Sequence, residues 1–233
     1  VIAFQTNNWL KTVTLGGGTA QLARMNDPRG LDWADNATIV YTPDSVGGVM
    51  EIAASGGAAR TLTTIDEKAG ERTHRWPHVL PGGQWVLFTV GTSASPDHYD
   101  DSWIDAVNRH TGERRRVLKG ASMAKYAPSG HLLFTHNATL FAVPFDADSL
   151  TVSGTPVSVM PGIGGDWTTG AAHVAWSANG TFAYVPGDQR GGLRQLEWAD
   201  LKGARQPITL PASLYNDMRI SPDGTRVAVA DGT

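Results

Sequence analysis

The chain has 233 residues, with 19 Lys and Arg against 22 Asp and Glu, a formal charge of −3, and no cysteine. This balance offers no electrostatic hold on nucleic acid or an acidic membrane, and the missing cysteines exclude disulfides and thiol catalysis. Glycine (27), proline (13) and a charged fraction of only 18% predict many turns and few long helices, and no apolar run approaches the ~20 residues of a membrane span.

In chain order, "VIAFQTNNWLKTVTLGGGTAQLARM" reads as three strands of a four-stranded unit whose first strand is absent. Four fuller units follow. Each has a tight turn, then a β-rich run: "WADNA" with "TIVYT", "VLPGG" with "QWVLFT", "YAPSG" with "HLLFT", and "WSANG" with "TFAYV". Two further strands close each one, as in "VMEIAASGGAARTLT", "WIDAVNRHTGERRRVL", "LFAVPFDADSLTVSGTPVSV" and "LRQLEWADLKGARQPITL". The chain ends on "ISPDG" and "TRVAV", two strands of another unit.

The turns end at Ala37, Gly83, Gly130, Gly180 and Gly224, so the repeat spacing is 46, 47, 50 and 44 residues. Four residues before each end stands Trp33, Val79, Tyr126, Trp176 or Ile220. Three residues after it stands Val40, Val86, Leu133, Ala183 or Val227. Proline presets φ at such a turn, Asp, Asn or Ser bonds its own backbone, and glycine accepts positive φ. Four strands repeated at this period indicate propeller blades. The expected fold is therefore all-β, a propeller of four-stranded antiparallel blades. Four complete blades (residues 30–64, 75–121, 122–163 and 171–212) lie between partial ones (1–24 and 216–233), about six blade positions in a single domain. Both ends supply a second-strand-like segment, so they are not expected to merge into one regular blade. Val1 opens the chain without a leader, so any targeting segment is expected to be removed or to lie beyond it.

The repeated x-Pro-[Asp/Gly/Ser]-Gly turn before an apolar strand resembles the TolB-type, WD-like propeller repeats of bacteria. "HRWPHVLPGGQWVLFTV" is similar to propellers carried C-terminally by some bacterial serine/threonine kinases. The resemblance implies a non-enzymatic binding or scaffold domain for a protein, peptide or small ligand, in a periplasmic or extracytoplasmic setting. The alternative it implies is the propeller of an enzyme: a prolyl-oligopeptidase-like gate, or a lyase or hydrolase with its site at the channel mouth.

No Gly-x-Ser-x-Gly elbow, Walker A loop, His-Glu-x-x-His or EF-hand loop is present, so no catalytic motif, metal or cofactor is expected. His74 and His78 stand four apart in "ERTHRWPH", but the proline and strand context argue against a helical metal pair. "SPDHYDDSW" lacks ordered ligand spacing and reads as a solvated loop. The run Arg114, Arg115, Arg116 reads as a solvated strand edge.

The turns between first and second strands are tight, whereas "TIDEKAGERTH", "GTSASPDHYDD" and "GIGGDWTTGAAH" lie on the opposite face. Loops held by a rigid scaffold carry binding residues. Glu71, Arg72, His74, Arg75, His98, Asp100, Asp101, Trp167 and His173 are therefore the expected ligand contacts. A convergence of His, Arg and acidic groups at one channel mouth would favour the enzyme alternative.

Overall fold

The computed structural model of the chain describes residues 1–35, 37–96, 98–166, 168–177, 181–186, 195–200, 202–213 and 215–231. β1 (Ile2–Thr6), β2 (Trp9–Val13) and β3 (Thr19–Arg24) form a three-stranded antiparallel sheet. β4 (Leu31–Trp33), β5 (Thr38–Tyr41), β6 (Met50–Ala53) and β7 (Arg60–Thr61) form the next sheet. A short 3-10 turn, Glu67–Ala69, is capped by the Asp66 carboxylate and leads into a third. It comprises β8 (Glu71–Val79), β9 (Trp85–Thr92), β10 (Trp103–Asn108) and β11 (Arg114–Lys119).

The fourth sheet holds β12 (Ser122–Ala127), β13 (His131–His136) and β14 (Thr139–Asp146). The long β14 pairs along its edge with both β15 (Thr151–Val152) and β16 (Val157–Pro161). A small hairpin, β17 (Gly165–Asp166) and β18 (Ala171–Ala172), precedes a fifth sheet. That sheet is β19 (Val174–Trp176), β20 (Phe182–Tyr184), β21 (Glu197–Ala199) and β22 (Arg205–Pro207). β23 (Tyr215–Ile220) and β24 (Val227–Asp231) close the chain as a separate hairpin.

The arrangement is an all-β propeller, with five blades where the sequence predicts four whole and two partial ones. β1–β3 is a blade in its own right, because its three strands already present a complete face to β4–β7. β23–β24 is a two-stranded ladder and does not make a sixth.

Each pair of consecutive sheets encloses its own apolar layer. Leu10, Met25, Ile39, Tyr41 and Ile52 fill the first, and Val40, Val49, Val86, Phe88 and Val90 the second. Leu87, Ile104, Leu132, Phe134 and Val143 fill the third. Met123, Leu140, Ile163, Val174 and Tyr184 fill the fourth, and Ala183, Val185, Leu196, Tyr215 and Met218 the last. The strands therefore lack polar alternation. Val86, Phe88 and Val90 face one neighbouring blade and Leu87 the other, so "WVLFTV" must be apolar on both sides.

This double burial also explains how the turn-aligned columns tolerate a register difference. Val79 pairs with Val86 and Ile220 with Val227, but Trp33 pairs with Ile39, Tyr126 with Leu132 and Trp176 with Phe182. A one-residue slip turns side chains to the other face. Here the other face is also covered, and none of the ten column residues is exposed.

Candidate functional site: the central channel

β4, β8, β12, β19 and β23 are the first strands of their units; β4 lies against β8, β8 against β12 and β19 against β23, and the Trp176 indole of β19 reaches the Tyr126 carbonyl of β12. Three of them bend at the same step. Gly30 has φ 100°, Trp76 φ 54° and Met123 φ 50°. The ladders of β8 and β12 shift register across Arg75/His78 and Ser122/Lys125. The bend divides each strand into a leading half, near the long loops, and a trailing half, near the tight turns.

The trailing halves place one residue per strand at a common place in the repeat, immediately before the apolar turn column. These are Asp32, His78, Lys125, Ala175 and Arg219, paired respectively with Val40, Leu87, Leu133, Ala183 and Ala228. His78 Nδ1 lies 2.9 Å from Asp32 Oδ2, which also accepts from the Val79 amide at 2.9 Å. Desolvation pushes the Asp32 carboxyl up, but the His78 and Val79 hydrogen bonds outweigh it and hold the group below the usual carboxylate range.

Lys125 stands over the Trp176 ring at 5.5 Å, within electrostatic reach of Asp32, Asp217 and Arg219. Desolvation inside the ring, reinforced by Arg219, draws its ammonium down to about 8 against the pull of the two carboxylates. His78 keeps 20% of its side-chain surface accessible and Asp32 keeps 32%, so the pair is enclosed but reachable. An Asp-bonded Nδ1–H leaves Nε2 as the imidazole's free acceptor, the arrangement of an oriented base.

The leading halves carry a second cluster. Arg75 is 1% exposed; its Nη1 donates to the Thr169 carbonyl at 2.9 Å and its Nη2 to the Ser45 carbonyl at 2.8 Å. Thr73 Oγ1 accepts from both Nε and Nη2. The guanidinium also lies 4.7 Å over the Tyr99 ring. Desolvation lowers the Arg75 pKa to about 10 against the pull of Tyr99, with Arg29 and Arg72 adding repulsion and Asp27 a smaller pull.

The nine residues expected from the sequence are dispersed. β8 begins at Glu71, so Glu71, Arg72 and His74 are strand residues, not part of the preceding link. Glu71 and His74 do meet, at 2.9 Å between Oε2 and Nε2, but inside the layer between blades. Thr63 Oγ1 completes the imidazole at 2.8 Å, and Arg114 reaches across β10 and β9 to both Glu71 oxygens at 2.5 and 3.1 Å. Arg114 and Arg116 both bond Asp105; part-buried Arg114 is an internal clamp, while Arg115 and Arg116 stay exposed on the edge strand β11.

Arg72 is part-exposed, bonds the Pro96 carbonyl at 3.0 Å and joins Arg75 beside Tyr99. His98 and Asp100 are exposed and 3.9 Å apart. Asp101 instead accepts from Thr92 and Ser95, both at 2.8 Å, and fastens its own loop. His173 is half-buried where β18 passes to β19 and gives its carbonyl to the Val185 amide. Trp167 lies outside the described residues. Asp32, His78, Lys125 and Tyr99, which the structure brings into these two clusters, were not among the residues expected from the sequence. The signal for the first three was the column one residue before the apolar one, which reads Asp, His, Lys, Ala, Arg.

Compared by sequence, the chain matches no protein-family model and no curated protein. Compared by structure, it is similar to a calcium-binding protein, regucalcin, from Agrobacterium tumefaciens. Identity is 14% over 95% of this chain and 74% of that one, with a TM-score of 0.65. It is similar to an oligogalacturonate lyase in complex with manganese: 14% identity over 97% of this chain and 65% of that one, TM-score 0.63. A luciferin-regenerating enzyme gives 6% identity over 96% of this chain and 76% of that one, TM-score 0.68. This chain thus spans about two thirds to three quarters of those proteins. Among the described residues no three His, Asp or Glu side chains are placed to share a metal ion. The ring instead sets Lys125 within electrostatic reach of Asp32, with Arg219 near Lys125, so its residues do not fit a divalent cation. At such identities the likeness carries the fold alone: the chain is a β-propeller, and its structural neighbours are mostly enzymes or enzyme-like propellers.

Proposed function

We propose that this propeller is of the enzyme type and acts on a small organic ligand in its channel by general acid–base chemistry. The observation carrying this reading is the Asp32–His78 hydrogen bond of 2.9 Å in one ring with Lys125. His78 is the base, Asp32 fixes its tautomer and stabilises the imidazolium, and Lys125 supplies a positive charge or a proton to a developing oxyanion. The kinship we favour within propellers is the TolB-type repeat, on the strength of the Pro-Asp-Gly and related turns.

A second reading is a binding domain for a protein or peptide. It is favoured by the internal bonds that occupy Glu71, His74 and Arg75, leaving exposed loop residues such as His98 and Asp100 for a partner.

Turnover of a panel of lactones, uronate oligomers and aryl amides distinguishes the two. His78→Asn and Lys125→Met are each expected to lower the rate about 100-fold or more. Lys125→Met is expected to keep or raise the melting temperature, because it removes a desolvated charge. A parent protein inert on the whole panel, or variants as fast as the parent, overturns the acid–base reading in favour of the binding one.

A further inference from the structure

The segment leading into β4 and the leading half of β8 gather three guanidinium groups, Arg29, Arg72 and Arg75, around Tyr99. One carboxylate, Asp27, stands among them, and it is held by Arg29, with Nη2 to Oδ2 at 2.8 Å. Among the described residues no carboxylate lies within ion-pair distance of Arg75 or Arg72. Two polar groups here are buried without an aligned hydrogen-bond partner: the Tyr99 hydroxyl, on a residue 7% exposed, and Arg29 Nε. Buried polar groups are ordinarily paired, and among the described residues three guanidinium groups here share a single carboxylate.

The packing shows that Tyr99 is seated on purpose. A Cβ on Gly91 would stand 2.7 Å from Tyr99 Cε1, and one on Gly170 would stand 2.8 Å from Tyr99 Cγ. Two chain segments therefore close on the ring and hold its hydroxyl toward the arginines.

We propose that this end of the channel is a binding site for a small carboxylate, taken by the part-exposed Arg72 and the Tyr99 hydroxyl in the positive field of Arg75 and Arg29. A planar guanidinium offers parallel N–H donors that match a carboxylate, and the tyrosine hydroxyl gains the acceptor it lacks. Arg75 contributes charge rather than contact, since its donors face the Ser45 and Thr169 carbonyls and Thr73. The site lies apart from the ring of Asp32, His78 and Lys125, and carboxylate binding can fail while the acid–base reading stands, or the reverse.

The test is an NMR titration of the tyrosine-labelled protein with sodium acetate, against sodium chloride at matched ionic strength. Acetate is expected to shift the Tyr99 resonance saturably, and chloride is not. Arg72→Gln and Tyr99→Phe are each expected to weaken acetate binding about tenfold, whereas Arg226→Gln, an exposed site at a tight turn on the opposite face, leaves it unchanged. In Tyr99→Phe, binding is followed on the neighbouring backbone amides, and this variant is expected to melt no lower than the parent in chloride, because it removes a buried hydroxyl that has no acceptor. No saturable shift beyond chloride, or equal affinity in Arg72→Gln and Tyr99→Phe, overturns the proposal.

Discussion

Arg75 shows how a charged side chain can be part of the scaffold. Its guanidinium ties the segment at Ser45, the hairpin loop at Thr169 and the ring of Tyr99 to β8. A lysine would keep the charge but could not span two separate carbonyls with a planar fork. Arg75→Lys is therefore expected to lose ~1–3 kcal/mol of stability, read by chemical denaturation, with the far-ultraviolet spectrum of the folded protein unchanged. Gly91 makes a sharper case, because its backbone φ is ordinary and only space is at issue. Its Cβ would sit 2.8 Å from Thr73 Cγ2 as well as against Tyr99. Gly91→Ala is expected to cost ~1–3 kcal/mol by overpacking. A neutral result would mean that Tyr99 can leave its seat.

At the scale of the element, the first strands bend at Gly30, Trp76 and Met123, and glycine stands where the approach is closest. A Cβ on Gly30 would meet Trp76 Cε3 at 2.9 Å and Trp76 Cα at 3.1 Å. The bend lets the Trp76 amide bond the Arg29 carbonyl at 2.7 Å, joining β8 to the leading segment of β4. It also turns the trailing residues so that Asp32 reaches His78 and the Val79 amide on the next strand. Trp176 does comparable work between β12 and β19. It stacks on Phe182 at 6.2 Å, packs against the apolar layer of the two sheets and carries Lys125 on its face. Trp176→Ala is expected to cost ~3 kcal/mol and, by removing its cover, to return the Lys125 pKa toward that of an ordinary lysine. The rate of amine acylation at Lys125 against pH measures the second effect.

For the whole molecule, the buried Glu71–His74–Arg114 network ties stability to pH. Desolvation, with repulsion from Arg114, lowers the His74 pKa to about 4, against the pull of Glu71. The neutral ring then donates from Nε2 to Glu71 and accepts at Nδ1 from the Thr63 hydroxyl. Glu71 is held at about 2, because the Arg114 and His74 hydrogen bonds and the Asp66 amide outweigh desolvation. Both folded values lie below those of the unfolded chain. The unfolded state therefore binds more protons on acidification, and stability present near neutrality is lost as pH falls. The loss is expected first between pH 6.5 and about 4 from His74, then from 4.5 toward about 2 from Glu71. Melting temperature against pH measures it. His74→Gln is expected to be less stable at pH 7 and to lose the upper part of the slope.

The repeat itself determined the blade. Spacing of 44 to 50 residues, turn chemistry and apolar columns all follow from local backbone preference and from burial on both faces, and these are written residue by residue. The number of blades was not. Whether "VIAFQTNNWLKTVTLGGGTAQLARM" counts as a blade depends on whether three strands present a complete face to the next sheet, and that is a property of the packed pair. Site residues divided in the same way. The loops were legible as the variable part, but burial turned Glu71 and His74 into an inter-blade lock and Arg75 into a staple. The ionisable ring arises because Asp32, His78 and Lys125, 46 and 47 residues apart in sequence, hold the same place in successive repeats. Sequence carries the place of each residue on its own turn; only packing the blades side by side brings Asp32 within hydrogen-bonding distance of His78 and Lys125 within electrostatic reach of Asp32.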